Sequence, residues 1–300
     1  MTQAEGKKIG FVGLGSMGKP MATNISKAGF SLTVYDIRKE PLAEMEKIGV
    51  KVARSAKELG QQCDTIVVMV LNYPQIKQIL TPPEGLLGEM RRGSTLIVTS
   101  TISPLEIMEV EKMASQQGVT VVDSAVSGGH ERAVEGTLVL MVGAGEKAFK
   151  ENEPLLKAMG KHIYYTGSVG KGQTAKMINQ LLVGAYQVAA AEALVLAKKL
   201  GMDLKVLHEI ISNSLGDSAI WRMFGSRMIN RDFEPKGAIN TMSKDMRSIM
   251  QTAVDLSTPI FISSIPYQVF EMAESRGLGG KDVAAIITIF EEYAGIKMSD

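Results

Sequence analysis

Short β-branched runs alternate with helically spaced apolar residues through the first half of the chain. The runs Ile9 to Val12, Ser31 to Tyr35, Thr65 to Val70, Leu96 to Thr99, Val119 to Val122, Leu138 to Val142 and Ile163 to Thr166 read as strands. Between several of them the helix starts are legible. Ser55-Ala-Lys-Glu58 and Ser103-Pro-Leu-Glu106 both have the capping-box spacing, the second with proline at the first helical position. Such alternation predicts a mostly parallel sheet with helices on both faces.

The pattern changes after Thr166. Gly170-Lys-Gly172 precedes one long helical stretch, Gln173 to Leu200, which Gly201 stops. At 1.5 Å per residue that helix is about 42 Å long, enough to link two domains. Leu204 to Asn213, Ser218 to Ile229, Thr241 to Leu256, Ile262 to Ser275 and Asp282 to Tyr293 read as further helices, with Asp203 and Asn240 as N-caps. The expected fold is α/β: a dinucleotide-binding Rossmann domain over residues 1–168, then an all-α domain over 169–300 that begins with the long interdomain helix.

Composition narrows the function. The chain has 300 residues, 45% of them hydrophobic, and 33 Lys plus Arg stand against 32 Asp plus Glu for a formal charge of +1. That balance provides no basic groove for nucleic acid and no cationic face for a membrane. Cys63 is the single cysteine, so an internal disulfide is impossible; beside the apolar run from Thr65 it reads as a buried thiol. His130, His162 and His208 lack metal-ligand spacing, so no metal is expected. Met1 to Lys8 is polar, without a signal-peptide core. The longest charge-free stretch, Met177 to Ala191, reads as too short and too polar to span a bilayer. A cytoplasmic enzyme acting on a small molecule is the expectation.

The loop Gly13-Leu14-Gly15-Ser16-Met17-Gly18 follows the first strand and opens a helix near Ser16. Its glycines permit a tight turn, close approach of a pyrophosphate and close helix–strand packing, and the helix start offers free N–H groups to the phosphates. Asp36 ends the second strand, where an acid accepts hydrogen bonds from the ribose hydroxyls of NAD and repels the 2′-phosphate of NADP. NAD is therefore the expected cofactor, with NADP admitted through Arg38, two residues on.

The Tyr-x-x-x-Lys pattern of short-chain dehydrogenases occurs at Tyr35/Lys39, Tyr73/Lys77 and Tyr293/Lys297, none on a long mid-chain helix after the fifth strand. No histidine stands out as a proton donor either. Lys176 and Asn179, at i and i+3, share one face near the start of the long helix. An amine there suits general acid–base work if it faces a cleft, and is an ordinary solvated lysine if it does not.

Four segments, in order, resemble the β-hydroxyacid dehydrogenase family, which includes 3-hydroxyisobutyrate dehydrogenase and tartronate semialdehyde reductase and is related to 6-phosphogluconate dehydrogenase. They are Gly10 to Ala22 with the cofactor loop, Asp123-Ser-Ala-Val-Ser-Gly-Gly129 with Ala133 and Gly136-Thr-Leu138, the Lys176/Asn179 helix start, and Lys244-Asp245. The resemblance implies hydride transfer between a nicotinamide and a small β-hydroxy or semialdehyde acid in a cleft between the domains. It makes Ser127, Gly128 and Gly129 the cradle of the substrate carboxylate and Asn179 a ligand of its hydroxyl. Lys176 becomes the general acid or base, and Lys244 approaches both nicotinamide and substrate. Leu71-Asn72 and Thr101 match further cofactor contacts, near the adenosine ribose with the pyrophosphate and the nicotinamide ribose respectively. Two ammonium groups at one pocket are expected to disfavour each other's charge.

The sequence departs from the family at Ala125 and Leu71, where proline is usual, at Val98, where an acid is usual, and at Gln180, where a second asparagine is usual. His130 and Arg132 either recognise an extra anionic group or are solvated. Trp221, Arg222, Phe224 and Phe233 are either a wall of the substrate pocket or core. The small residues Gly184, Ala185, Ala189 and Ala193 on one face of the long helix suggest a homodimer or homotetramer. The alternatives are an imine reductase of related architecture, which generally lacks the Lys176 equivalent, and an inactive nucleotide-binding protein. A 6-phosphogluconate-type decarboxylase would need a longer helical domain.

Overall fold

The computed structural model describes residues 6–83 and 85–297, so most of the polar stretch Met1 to Lys8 lies outside the described residues. The chain forms two compact units, Met1–Lys176 and Met177–Asp300, and the division falls inside the long helix.

The first unit is built on eight strands: β1 (Lys8–Val12), β2 (Ser31–Tyr35), β3 (Lys51–Val52), β4 (Thr65–Val68), β5 (Thr95–Val98), β6 (Thr120–Ser127), β7 (Leu138–Gly143) and β8 (Gly160–Gly167). Their order is β3-β2-β1-β4-β5-β6-β7-β8. Every pairing is parallel except β6 with β7. Successive side chains point to opposite faces, so β1 places Phe11 in one apolar layer and Val12 in the other. Val67 and Ile97 join Phe11, while Ile66, Val68, Leu96 and Val98 join Val12. Burial on both faces explains why β4 and β5 read as unbroken apolar runs. The strand order reverses between β1 and β4, and in open α/β sheets that crevice at the carboxyl ends receives the ligand.

Differences from the sequence reading have local causes. Strand β3 is two residues long, too short to show a period. Strand β6 runs on to Ser127, so most of the Asp123–Gly129 segment is strand, not loop; Asp123 and Ser124 are fully buried polar residues that interrupt the apolar signal. The first helix begins at Gly18, two residues later than expected. Ser103 and Glu106 complete a capping box, whereas Glu58 reaches past Ser55 to the N–H of Arg54.

The second unit takes the long helix (Lys171–Lys199) from Met177 onward, then helices Leu204–Ser212, Ile239–Asp255, Phe261–Ser275 and Ile287–Ala294. The Ser218 to Ile229 stretch is partly a π-helix, Trp221–Gly225, before it tightens into Ser226–Ile229. Asp203 caps its helix as expected, but Asn240 does not. Ala238 stands at that cap, and the carbonyls of Lys281 and Gly279 take the N–H groups of Ile239 and Asn240. Gly184 is spent inside the unit, since a side chain there would lie 2.9 Å from the Met246 sulfur. By length and composition the long helix, which extends beyond the charge-free stretch Met177 to Ala191, passes for a membrane-crossing helix, its most apolar 18 residues having mean hydropathy 1.5. Its Val188, Ala191, Leu194 and Val195 nevertheless lie in the core of the second unit.

One carboxylate sets where the long helix starts. Asp123 Oδ2, on β6, accepts the N–H groups of Gly170 (3.1 Å) and Gln173 (3.0 Å). A side chain at Gly172 would stand 2.4 Å from the Met141 carbonyl and 2.9 Å from the Asp123 carboxyl carbon, so glycine alone admits this approach. Gln173 is fully buried; its Oε1 accepts from Ile102 N–H at 3.2 Å and its Nε2 donates to the Ser100 carbonyl at 2.9 Å.

Burial pushes Asp123 up from 3.8 to about 7, against the opposing N–H groups of Gln173, Gly170 and Gly172. Between those values the folded chain holds a proton that the unfolded chain has released, so stability falls as pH rises through the window and levels off above it. The unfolding free energy of the wild type, taken relative to Asp123→Asn, is therefore expected to decline from about pH 4 to about pH 7. Urea titrations of both proteins across that range check this, and parallel curves contradict it.

Candidate active site

At the carboxyl end of β1 the chain turns at Gly13, whose φ is +93°, and Gly13 N–H donates to the Tyr35 carbonyl. A side chain on Gly13 would meet the Met69 carbonyl at 2.1 Å, and one on Gly18 would meet the Gly13 carbonyl at 1.9 Å. These two glycines are demanded by packing. A side chain at Gly15 would meet nothing within 4 Å. The space above Gly15 is thus left open by the protein, as close approach of a dinucleotide pyrophosphate to this backbone requires.

Asp36 follows β2 and is only 7% exposed. Its carboxylate accepts from Leu14 N–H (2.6 Å) and Arg38 N–H (2.9 Å), and from Arg38 Nε (3.0 Å) and Nη2 (3.1 Å). Burial works to raise its pKa, but the Arg38 guanidinium and the Leu14 and Arg38 N–H groups outweigh it and hold the carboxyl below its usual value. Asp36 is a fixed anion, and the Leu14 N–H is spent on it.

The loops after β4 and β5 are tied to each other and to the long helix. Val70 N–H donates to Ser100 Oγ at 2.8 Å, and Gln173 grips the backbone on either side of Thr101. Asn72 caps the Tyr73–Leu80 helix through Gln75 N–H, and Leu71 N–H donates to the Gln75 side chain. Both therefore have local structural work.

Ser127 closes β6, and Gly128 and Gly129 follow at φ +135° and +73°. A side chain at Gly128 would stand 2.7 Å from Arg132 Cδ. His130 Nδ1 lies 2.8 Å from the Ser16 carbonyl and 3.3 Å from Ser16 Oγ, and Asn24 Nδ2 donates to the Ala133 carbonyl. The Ser127–Gly129 segment is thereby moored to the cofactor loop and the helix behind it. His130, read as an anion contact, has Ser16 as a partner instead.

Lys176 lies on the long helix three residues after Gln173 and is 7% exposed. That removes the reading of a solvated amine, since lysine is rarely buried without a partner or a task. In the second unit Asn179 Nδ2 donates to Gln180 Oε1 (3.1 Å) and Gln180 Nε2 donates to Asp245 Oδ2 (2.7 Å). Lys244 Nζ stands 2.9 Å from Asp245 Oδ1 in an ionic contact. Trp221 is core: it is 4% exposed, stacks on His208 and donates from Nε1 to the His208 carbonyl. Arg222 pairs with Asp217, and Phe224 and Phe233 pack against the same core.

Sequence reasoning missed Gln173 and the Gln180–Asp245 contact. Gln173 was detectable as the residue one turn before Lys176 on the same face. The Gln180 contact joins residues 65 positions apart and had no local signal.

Known proteins match the chain along nearly its whole length. Residues 8–167 match the NAD binding domain of 6-phosphogluconate dehydrogenase, and residues 170–290 match the NAD-binding domain of NADP-dependent 3-hydroxyisobutyrate dehydrogenase. The chain is 32% identical to 2-(hydroxymethyl)glutarate dehydrogenase of Eubacterium barkeri over 97% of each chain. It is 33% identical to 2-hydroxy-3-oxopropionate reductase of Escherichia coli, over 97% of this chain and 100% of that one. A solved 3-hydroxyisobutyrate dehydrogenase from Salmonella typhimurium superposes with TM-score 0.88 at 32% identity, over 94% of this chain and 99% of the other. An imine reductase from Pseudomonas shares the fold alone, at TM-score 0.63 and 19% identity. The chain belongs to the β-hydroxyacid dehydrogenase family of nicotinamide-dependent oxidoreductases.

Proposed function

We propose that the chain interconverts a short β-hydroxy acid and its semialdehyde, with Lys176 as the general acid in reduction and the general base in oxidation. The observation that carries this is the burial of Lys176 on a helix whose start Asp123 and Gln173 fix against the Ser100–Ile102 loop. A nicotinamide cofactor supplies or accepts the hydride at its C4. Lys176 then delivers a proton to the developing alkoxide oxygen, or removes one from the hydroxyl. Ser127, Gly128 and Gly129 hold the substrate carboxylate, the positive φ angles of the two glycines bringing backbone N–H groups close. Asn179 binds the hydroxyl, and Lys244 adds positive charge toward the anionic substrate. Gly13 to Gly18, with Asp36, Leu71, Asn72 and Thr101, hold the dinucleotide. Three relatives carry names with one shared chemistry, an oxygen on the carbon β to a carboxylate: 2-(hydroxymethyl)glutarate, 3-hydroxyisobutyrate and 2-hydroxy-3-oxopropionate. That class is the substrate proposed here.

The cofactor proposed is NAD. For NADP, Arg38 must leave Asp36 to meet the 2′-phosphate, and the buried Asp36 carboxylate must tolerate that phosphate nearby. Residues 1–168 serve the dinucleotide and 169–300 serve substrate binding and assembly. The setting proposed is cytoplasmic, in keeping with one buried free thiol. A homodimer or homotetramer is proposed as well. Gly184 is occupied internally, so the packing face moves to Ile178, Leu182 and Tyr186, which are exposed at helical spacing on the long helix.

Three measurements check this reading. Lys176→Ala is expected to lower kcat by about 10²–10⁴ while leaving the dissociation constant for NADH unchanged; activity within about tenfold of wild type removes Lys176 from the mechanism. NADH is expected to show a lower KM than NADPH, and the reverse order overturns the role given to Asp36. Light scattering is expected to return a multiple of 32.4 kDa; a monomeric mass ends the assembly proposal.

A further inference from the structure

We propose that His130 is a latch between two ligand-binding loops of the first unit, so that the dinucleotide and the hydroxy acid each bind more tightly when the other is present. This rests on the reading that Gly13 to Gly18 hold the dinucleotide and Ser127 to Gly129 the substrate carboxylate. It adds how one loop senses the other.

A proline creates the opening for this contact. At the start of the Gly18–Lys27 helix, Lys19 N–H donates to the Gly15 carbonyl and Met21 N–H to the Met17 carbonyl. The Ser16 carbonyl between them would take the N–H of residue 20, but that residue is proline and has none. His130 Nδ1 stands 2.8 Å from the Ser16 carbonyl oxygen. A carbonyl only accepts, so Nδ1 carries the hydrogen and donates it, whether the ring is neutral or charged. Ser16 Oγ lies 3.3 Å from the same nitrogen. The middle of the cofactor loop is thus gripped by a side chain that follows the carboxylate cradle directly, 114 residues further along the chain.

The short Gly129–Glu135 helix carries this grip to the cradle. Near its far end Asn24 Nδ2 donates to the Ala133 carbonyl at 2.8 Å, which holds that end to the body of the Gly18–Lys27 helix. At its near end the backbone turns through Gly128 and Gly129 at positive φ, with the stem of Arg132 packed against Gly128. His130 fixes this near end, and it fixes it to the cofactor loop instead of to the helix behind. Glycine segments lose the most backbone freedom when they are ordered, and both loops are built on glycine. With the Nδ1 hydrogen bond in place, a ligand that orders one loop leaves less freedom for the second ligand to remove from the other. Such coupling acts equally in both directions. Without the bond the two loops settle independently.

The test measures the dissociation constant of NADH on the full-length protein by calorimetry, with and without a saturating hydroxy acid. The acid is 3-hydroxyisobutyrate or 2-(hydroxymethyl)glutarate, whichever the wild type binds more tightly; neither reacts with the reduced cofactor, so the ternary complex persists. The ratio of the two constants is the coupling factor. His130→Ala is expected to lower that factor by about fivefold. His130→Asn, whose Nδ2 takes the place of Nδ1, is expected to restore it to within about twofold of wild type. Structural damage would instead weaken binding without changing the ratio. A wild-type factor of one overturns the proposal. An unchanged factor in His130→Ala, with both constants raised alike, makes His130 a static brace and overturns it too, as does loss of the factor in His130→Asn. Gly15→Ala and Ser127→Ala test the underlying reading separately, since the first is expected to weaken NADH and the second the hydroxy acid. If either ligand binds its variant as it binds the wild type, or if neither acid binds at all, the site reading fails and the latch falls with it.

Discussion

The Asp123 carboxylate at the start of the long helix is the constraint on which the first unit's chemistry depends. It ties β6 to the first turn of the helix that carries Lys176 and supplies acceptors for N–H groups with no partner within the helix. A fully buried carboxylate is costly, and this one is held against its desolvation by backbone N–H groups of Gln173, Gly170 and Gly172 and by the Gln173 side chain. The glycines at 143 and 172 are part of the same arrangement, since a side chain on either would enter the space the carboxyl group and β7 already fill. The position of Lys176 is thus specified one turn earlier on the helix, by Asp123 and Gln173.

Around that point the loops after β4, β5 and β6 are coupled by single side chains. Ser100 receives the β4 loop through its hydroxyl and the long helix through its carbonyl. Gln173 holds the backbone on both sides of Thr101, so a displacement of the helix start moves the Thr101 loop with it. His130 and Asn24 do the equivalent for the Ser127–Gly129 segment, anchoring it to Ser16 and to the Gly18–Lys27 helix. Closely packed interiors transmit such displacements because few voids absorb them.

What was legible in the sequence follows from which signals are local. The parallel core, the long helix and the all-helical second unit were readable, because β-branched runs, capping residues and helical periodicity act over a few positions. The extension of β6 was hidden because Asp123 and Ser124 are polar and yet fully buried. The Asn240 cap was a sound local guess, overridden by carbonyls that arrive from Gly279 and Lys281. In the site, glycine spacing and Asp36 announced the nucleotide loop, but nothing near Asp36 in sequence said that its partners would include the N–H of Leu14. Trp221 looked equally suited to a pocket or a core until its stacking on His208 placed it in the core.

Charge placement gives the last step. The chain is almost neutral, and it keeps the two charges proposed to meet ligands in internal pairs: Asp36 with Arg38, and Lys244 with Asp245. An incoming anion therefore meets groups that already have partners. For Lys244, Asp245 offsets the charge while a quarter of the side chain stays exposed. For Asp36 the sign is opposite. A ribose hydroxyl donates to a carboxylate already oriented by Leu14 and Arg38, whereas a phosphate must draw Arg38 away and leave a buried anion with fewer partners. Breaking a buried pair by removing one member costs about 3–5 kcal/mol, and although the exposure of Arg38 reduces that figure here, the direction holds. Under the proposal that Asp36 meets the ribose, discrimination between the two dinucleotides arises as a penalty on NADP, built from an ion pair that exists before either binds.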